Sequence, residues 1–387
     1  MYDYFWDIEF DGDYDDLPGP PPYMNKSFVT VIFGEGVENI GAYAFTNHQT
    51  LAKVYFSSTI KTIERDAFLD CGLNSITIPS TVTEIKDEAF KRSGLTSISF
   101  SEGLKKLGNY VFEDIHYLTN VQLPEGLEEF GIGIFYGNER LSKVIIPGSV
   151  KKVGRSDFDE SNSSFYDCPL IRTAGPIGSG CNIEFGWTES IPDFAFSGNS
   201  LSYLAPEGLL QITLPSTIKT IGASAFSSCT IKKITIPYGV VSIGDGAFRG
   251  CSSLTSINIP EGVTSIRNYT FSGCRSLTSI NIPEGVTSIG ERAFSGCSSL
   301  NSINIPEGVT SIRNYTFSGC SSLTSITIPE GVTSIGNDAF YGCNKLSELR
   351  LRNISAWLTN LPQYSSNPLT CNSLPKHLFI LIRFLCV

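Results

Sequence analysis

The sequence has no cluster of lysine or arginine, only three histidines, and a low share of charged residues, 17%. Without a basic patch there is no electrostatic footprint for nucleic acid or for an anionic lipid surface, which counts against both as partners. His48, His116 and His377 are far apart, and no HExxH, paired Cys-x-x-Cys or serine-nucleophile motif accompanies them. A histidine-based active site is hard to build from them; His48 and His116 read as surface residues of loops, His377 as part of a C-terminal module. No Walker loop occurs either: the stretch Gly175 to Gly180 (GPIGSG) lacks the spacing and the following Lys-Ser/Thr that cradle phosphate, so it reads as a turn. Long hydrophobic runs are absent as well. Leu378 to Val387 is apolar, but its ten residues include Arg383, whereas crossing a bilayer takes about 20. Met1 to Phe10 is acidic where a secretory signal is basic, so no export signal is expected there.

What is present is apolar material: 41% of the 387 residues are hydrophobic and 11% aromatic, enough for a large core. Of the net charge of −10, the first 25 residues carry −7 (Asp3, Asp7, Glu9, Asp11, Asp13, Asp15, Asp16), leaving −3 for the rest. Asp11, Asp13 and Asp15 have the spacing that opens a calcium loop, but Asp16 and Pro22 stand where such a loop needs Gly and Glu. Residues 1–28 therefore read as a disordered acidic arm ending in a stiff proline-rich spacer, Pro18 to Pro22.

The body repeats. Phe45, Phe68, Phe90, Phe112, Phe135 and Phe158 are 22 or 23 residues apart; after Phe196 the spacing resumes through Phe226, Phe248, Phe271, Phe294, Phe317 and Phe340. Around each Phe the same phrase recurs, clearest in SLTSINIPEGVTSIGERAFSGC (Ser276 to Cys297). Thr278 to Ile282 alternates and is β-rich, which predicts a strand with Ile280 and Ile282 inward, ended by Pro283 and Gly285. Val286 to Ile289 predicts a second short extended piece, and Glu291 to Gly296 a single helical or 3₁₀ turn that drives Ala293 and Phe294 inward. One such coil cannot bury its apolar side chains; stacked coils can. The expected fold is an α/β solenoid: an arc of about fourteen coils with a parallel β-sheet, short second extended segments and single helical turns, roughly 65 Å long at 4.8 Å per strand. Residues 254–299 and 300–345 are nearly the same block, which points to recent duplication.

The pattern LxxIxIPxGVxxIGxxAFxxCxxL resembles the leucine-rich repeats of the BspA-like (Treponema pallidum type) surface proteins, over about Val29 to Leu351. Thr173 to Phe196 is similar to an irregular coil of that family, and Ile354 to Ile380 to its end module. The domain reading is an arm (1–28), repeats (29–158), an irregular coil or insertion (159–196), repeats (197–353) and a C-terminal capping module (354–387).

Cys71, Cys168, Cys229, Cys251, Cys274, Cys297, Cys320 and Cys343 each follow a Phe by three residues. Parallel stacking leaves neighbouring Cβ atoms about 4.8 Å apart, beyond the usual disulfide range, and a straight row cannot wrap four sulfurs around zinc. The row reads as small buried hydrophobes, with no metal and no cofactor. Glu261, Glu284, Glu307 and Glu330 form a row of like charges and must face water. Sequons at Asn25, Asn162, Asn268, Asn314 and Asn353 matter only in a secreted eukaryotic protein.

With no catalytic equipment recognised, the expected activity is binding rather than catalysis. The outward strand positions, Asn258, Asn281, Asn304 and Thr327 with their Ser and Thr neighbours, make a neutral polar strip without aromatic or Arg anchors, which suggests weak multivalent contacts. In the irregular coil, Tyr166, Phe185 and Trp187 are either a separate contact or a local core. The resemblance implies a cell-surface or secreted, adhesin-like protein whose partners are host or matrix proteins or neighbouring cells. A cytoplasmic or peripheral interaction scaffold, or a repeat fragment of a longer multidomain protein, remain the alternatives.

Overall fold

Each repeat lays its backbone down as two short strands, which pair in parallel with their counterparts on adjoining coils (residues 27–154, 168, 170–197, 211–352 and 379–382 are described in this computed structural model). Strand register repeats by one coil: Ser75↔Ser97, Ile76↔Ile98, Thr77↔Ser99 and Ile78↔Phe100 pair directly. Alternation does the sorting, since Ile76 and Ile78 are buried while Ser75 and Thr77 are exposed. The second strand of each coil is two residues long, as in Asn39–Ile40, Thr62–Ile63, Glu84–Ile85, Lys106–Leu107, Glu129–Phe130 and Lys152–Val153, which form one parallel sheet in chain order.

The described residues form two compact units, one up to Trp187 and the other from Thr188 onward. In the first, the rings of Phe45, Phe68, Phe90, Phe112 and Phe135 stack with centroids 5.3 to 5.9 Å apart. In the second, Phe196, Phe226, Phe248, Phe271, Phe294, Phe317 and Phe340 do the same at 5.3 to 5.7 Å. These separations suit offset aromatic pairs. The second unit also holds the parallel set Ser325–Ile328, Glu348–Leu351 and Phe379–Ile382.

One expectation needs correction. The segment carrying each Phe is not a helical turn, and no helix occurs among the described residues. Ala293, Ser295 and Cys297 donate their N–H groups three residues back, to Gly290, Arg292 and Phe294, at 3.1 to 3.3 Å. The alternating groups, those of Arg292, Phe294 and Gly296, donate instead to Asn314, Thr316 and Ser318 of the next coil, at 2.7 to 3.1 Å. That alternation requires left-handed backbone at Arg292 (φ 54°) and Gly296 (φ 74°), which no helix contains. The segment is thus a third inter-coil ladder, and the solenoid is all-β rather than α/β.

The irregular coil is built around Glu184. Thr173–Pro176 and Ile183–Phe185 pair in parallel with Ala174 opposite Ile183, only nine residues on, where a parallel crossover usually takes a dozen or more. Gly178 (φ 86°) and Gly180 (φ 76°) permit the tight reversal. Their N–H groups donate to the buried Glu184 carboxylate at 3.0 and 2.8 Å. Lys143 closes an ion pair on the same carboxylate. The Lys143 bond and the glycine N–H groups hold that carboxyl below its ordinary range.

Candidate functional site

The strand face of the second unit puts identical side chains one coil apart. Ser279 pairs with Ser302 and Ile280 with Ile303. Asn258 and Asn281 form a parallel bridge. Inward, Ile280 and Ile303 are buried; outward, Asn258, Asn281 and Asn304 are exposed and Thr327 is half-buried. Alternation along a β-rich stretch ended by the buried Pro260, Pro283 and Pro306 is what aims these amides at water.

Within the face, two columns differ in what they are free to do. The threonine column is committed to the fold: Thr278 and Thr324 each donate a hydroxyl to the carbonyl of the preceding coil, Thr255 and Asn301, at 3.4 Å. In the asparagine column, Asn304 Nδ2 reaches Glu284 at 3.4 Å, while Asn258 and Asn281 have no side-chain hydrogen bond among the described residues. Each of these two amides can both donate and accept. At the rim, Glu261, Glu284 and Glu307 are exposed, and Glu307 pairs with Arg352.

The irregular-coil residues do not join this face. Phe185 and Trp187 are 1% and 3% exposed and stack at 5.3 Å, with Trp187 Nε1 donating to the Val150 carbonyl at 2.9 Å. They form a local core and offer no contact surface; Tyr166 lies outside the described residues. The acidic arm and His377 also lie outside them.

The cysteine row is buried and hydrogen-bonded. Cys251, Cys274, Cys297, Cys320 and Cys343 each donate a thiol to the Phe carbonyl of the preceding coil, at 3.0 to 3.2 Å. Burial pushes the Cys251 and Cys297 thiols up to about 12 and raises Cys274 and Cys320 as well. Such groups stay protonated and are poor nucleophiles and metal ligands. Asn138, missed in the sequence because it is not Cys, occupies the same place: its Nδ2 donates to the Phe112 carbonyl at 2.9 Å and its Oδ1 accepts from the Ile115 N–H at 2.7 Å. The Phe-plus-three spacing was the available signal. It applies to His48 too, which is buried against Phe28 at 4.8 Å rather than on a surface loop, because it fills the first place in the row. His116 is exposed.

A feature with no sequence signal lies on the third ladder. Arg292 is sandwiched between the rings of Tyr269 and Tyr315, at 5.6 and 4.6 Å, and its Nη1 donates to Tyr269 Oη at 3.0 Å. This contact couples three coils electrostatically.

Comparison with known proteins follows the same lines. A leucine-rich repeat protein from Bacteroides ovatus aligns over 92% of this chain and 84% of its own, with 28% identity and a TM-score of 0.67. A leucine-rich repeat protein from Eubacterium ventriosum covers 81% of this chain and 90% of its own, with 27% identity and a TM-score of 0.50. No curated protein matches in sequence. The model of the BspA type leucine rich repeat region matches in six copies, over residues 23–171, 181–300 and 241–367. With that match covering most of its length and the coil geometry described above, the chain belongs to the BspA-type leucine-rich-repeat family.

Proposed function

We propose that the protein is a non-enzymatic binding protein, adhesin-like and displayed at the cell surface or secreted. Its partner is a host or matrix protein, or the surface of a neighbouring cell. The observation that carries this reading is the asparagine column: exposed amides, in register on adjacent coils and not consumed by the fold at Asn258 and Asn281. A net hydrogen bond to such an amide contributes on the order of 1 kcal/mol. Useful affinity therefore comes from several coils acting together rather than from one anchor.

The test is the triple substitution Asn258→Arg, Asn281→Arg and Asn304→Arg in the full chain, assayed for attachment to cells and to immobilised matrix proteins. Attachment is expected to be lost while folding is retained, because all three side chains point to water. A single Asn→Ala change is expected to have little effect. Unchanged attachment of the triple variant overturns the assignment of this face. Protease treatment of intact cells tests the location, release of the repeat region being the expected result.

A further inference from the structure

In a stacked array the inside of each coil is dictated by its neighbours, so a coil whose outside departs from the pattern marks a place under a different demand. One coil of the second unit does this. Its inward residues Ile234, Ile236, Val240, Ile243 and Phe248 are buried like their counterparts. Outward it has Lys232, Lys233, Tyr238 and Val241 where the next coil has Thr255, Ser256, Glu261 and Thr264. Two charges are gained and one carboxylate is replaced by an aromatic ring.

That ring is the most exposed of the large hydrophobics among the described residues, Tyr238 at 89%, and Val241 in the same coil is 52% exposed. A third cation comes from the preceding coil: Lys219 Nζ lies over Gly239, 2.9 Å from where a Cβ would stand there. In the first unit, several lysines are matched by acids on adjoining coils, as in Lys61–Glu38, Lys86–Glu64, Lys106–Glu84 and Lys152–Glu129. Lys219, Lys232 and Lys233 have no such ion pair among the described residues.

We propose that the outer face of the coil Lys232–Ile243, together with Lys219, binds a short acidic polypeptide segment that also carries an apolar side chain. The proposal rests on the protein-binding reading above and adds a second, chemically distinct surface to it. The lysines steer and hold carboxylates, and Tyr238 with Val241 supplies the aromatic and apolar anchor that the asparagine column lacks. A long polyanion running along the array is disfavoured, because it would meet Glu261, Glu284 and Glu307 on the following coils. The segment must therefore be short, or cross the array rather than follow it.

The full chain is titrated into a fluorescein-labelled peptide of alternating Glu and Leu, and anisotropy is followed at low and at physiological ionic strength. The comparison variant combines Lys232→Thr, Lys233→Ser, Tyr238→Glu and Val241→Thr. These are residues that the neighbouring coil already holds at the same places, so the fold is kept. Expected is binding that weakens with salt and falls at least tenfold in the variant, and severalfold with Tyr238→Ser alone. The variant Asn258→Ala, Asn281→Ala, Asn304→Ala is expected to bind the peptide normally, which separates this surface from the asparagine column. Equal binding by the parent and the four-residue variant, or no binding by either, overturns the proposal, as does binding of a sulfated polysaccharide in place of the peptide. Loss of cell attachment by the triple Arg variant in that event leaves the proposed function standing and this surface without its partner.

Discussion

At the scale of the residue, position in the coil governs what a side chain can do. Phe294 is fully buried, with Phe271 at 5.6 Å on one side and Phe317 at 5.7 Å on the other. Phe294→Ala should cost about 3 to 5 kcal/mol, read by hydrogen exchange of the amides from Phe271 to Phe317, because a repeat array need not unfold in one step. The left-handed positions are the other fixed points. Tyr43, Tyr110, Tyr269, Arg292, Tyr315 and Asp338 all have φ between 51° and 59°, in a column where Gly133 and Gly246 also occur. A side chain there costs about 1 to 2 kcal/mol of backbone energy, offset in part by the larger entropy loss of glycine, about 0.5 to 1 kcal/mol. Asp338→Gly should therefore stabilise its coil by up to about 1 kcal/mol, seen as slower exchange of the flanking amides. Thiol reagents report on the same geometry. Cys181 is half-buried and outside the row, so among the described cysteines it should react first, whereas Cys251, Cys274, Cys297 and Cys320 should react only on unfolding.

At the scale of the element, burial at some carboxyls and an ion pair at another give the first unit opposing pH dependences. Asp66 is buried, and burial followed by the charge of Glu88 raises its carboxyl above the ordinary value; burial raises Glu113 in the same way. Such groups favour folding most when protonated. Their contribution is present below the ordinary carboxylate range and is lost as pH rises through the raised value. Glu184 is the reverse case: held down by Lys143 and the glycine N–H groups, it stabilises above the ordinary range, and that stability is lost as pH falls through its lowered value. At neutral pH, Asp66→Asn should therefore stabilise the coils around Asp66, and Glu184→Gln should loosen the strands Thr173–Pro176 and Ile183–Phe185. Both effects should shrink in acid, where the parent carboxyls are themselves protonated; amide exchange at neutral and acid pH checks each sign. The element scale is also where the sequence was least legible. Glu291 to Gly296 suits a helical turn by composition, and the ladder that replaces it depends on carbonyls of Asn314, Thr316 and Ser318, contributed by the next coil. No local window contains that information.

At the scale of the whole molecule, the period was legible because stacking demands the same inward residue at the same phase, and the Phe spacing showed it directly. The outward face was legible only as a pattern: alternation placed Asn258 and Asn281 in water, but which hydroxyls and amides the fold consumes emerged from inter-coil hydrogen bonds. The duplicated blocks contain a further pattern that the Phe row does not show. Along the third ladder Tyr269, Arg292 and Tyr315 alternate over three coils, with Gly246 before them and Asp338 after them in the same column. Inserting a second copy of residues 254–299 after Ser299 continues the alternation, with each new Arg between two Tyr rings. Inserting a single coil, residues 277–299, sets two guanidinium groups on adjacent coils, about 4.8 Å apart. Like charges replace a ring contact there, one worth about 0.5 to 2 kcal/mol. Because each coil touches only its neighbours, both insertions should fold. The two-coil insertion should match the parent in local exchange protection, while the one-coil insertion should open first at the doubled Arg and recover as salt screens the repulsion. Equal protection at all salt concentrations would mean that Arg292 contributes packing alone, and that the functional unit of the array is one coil.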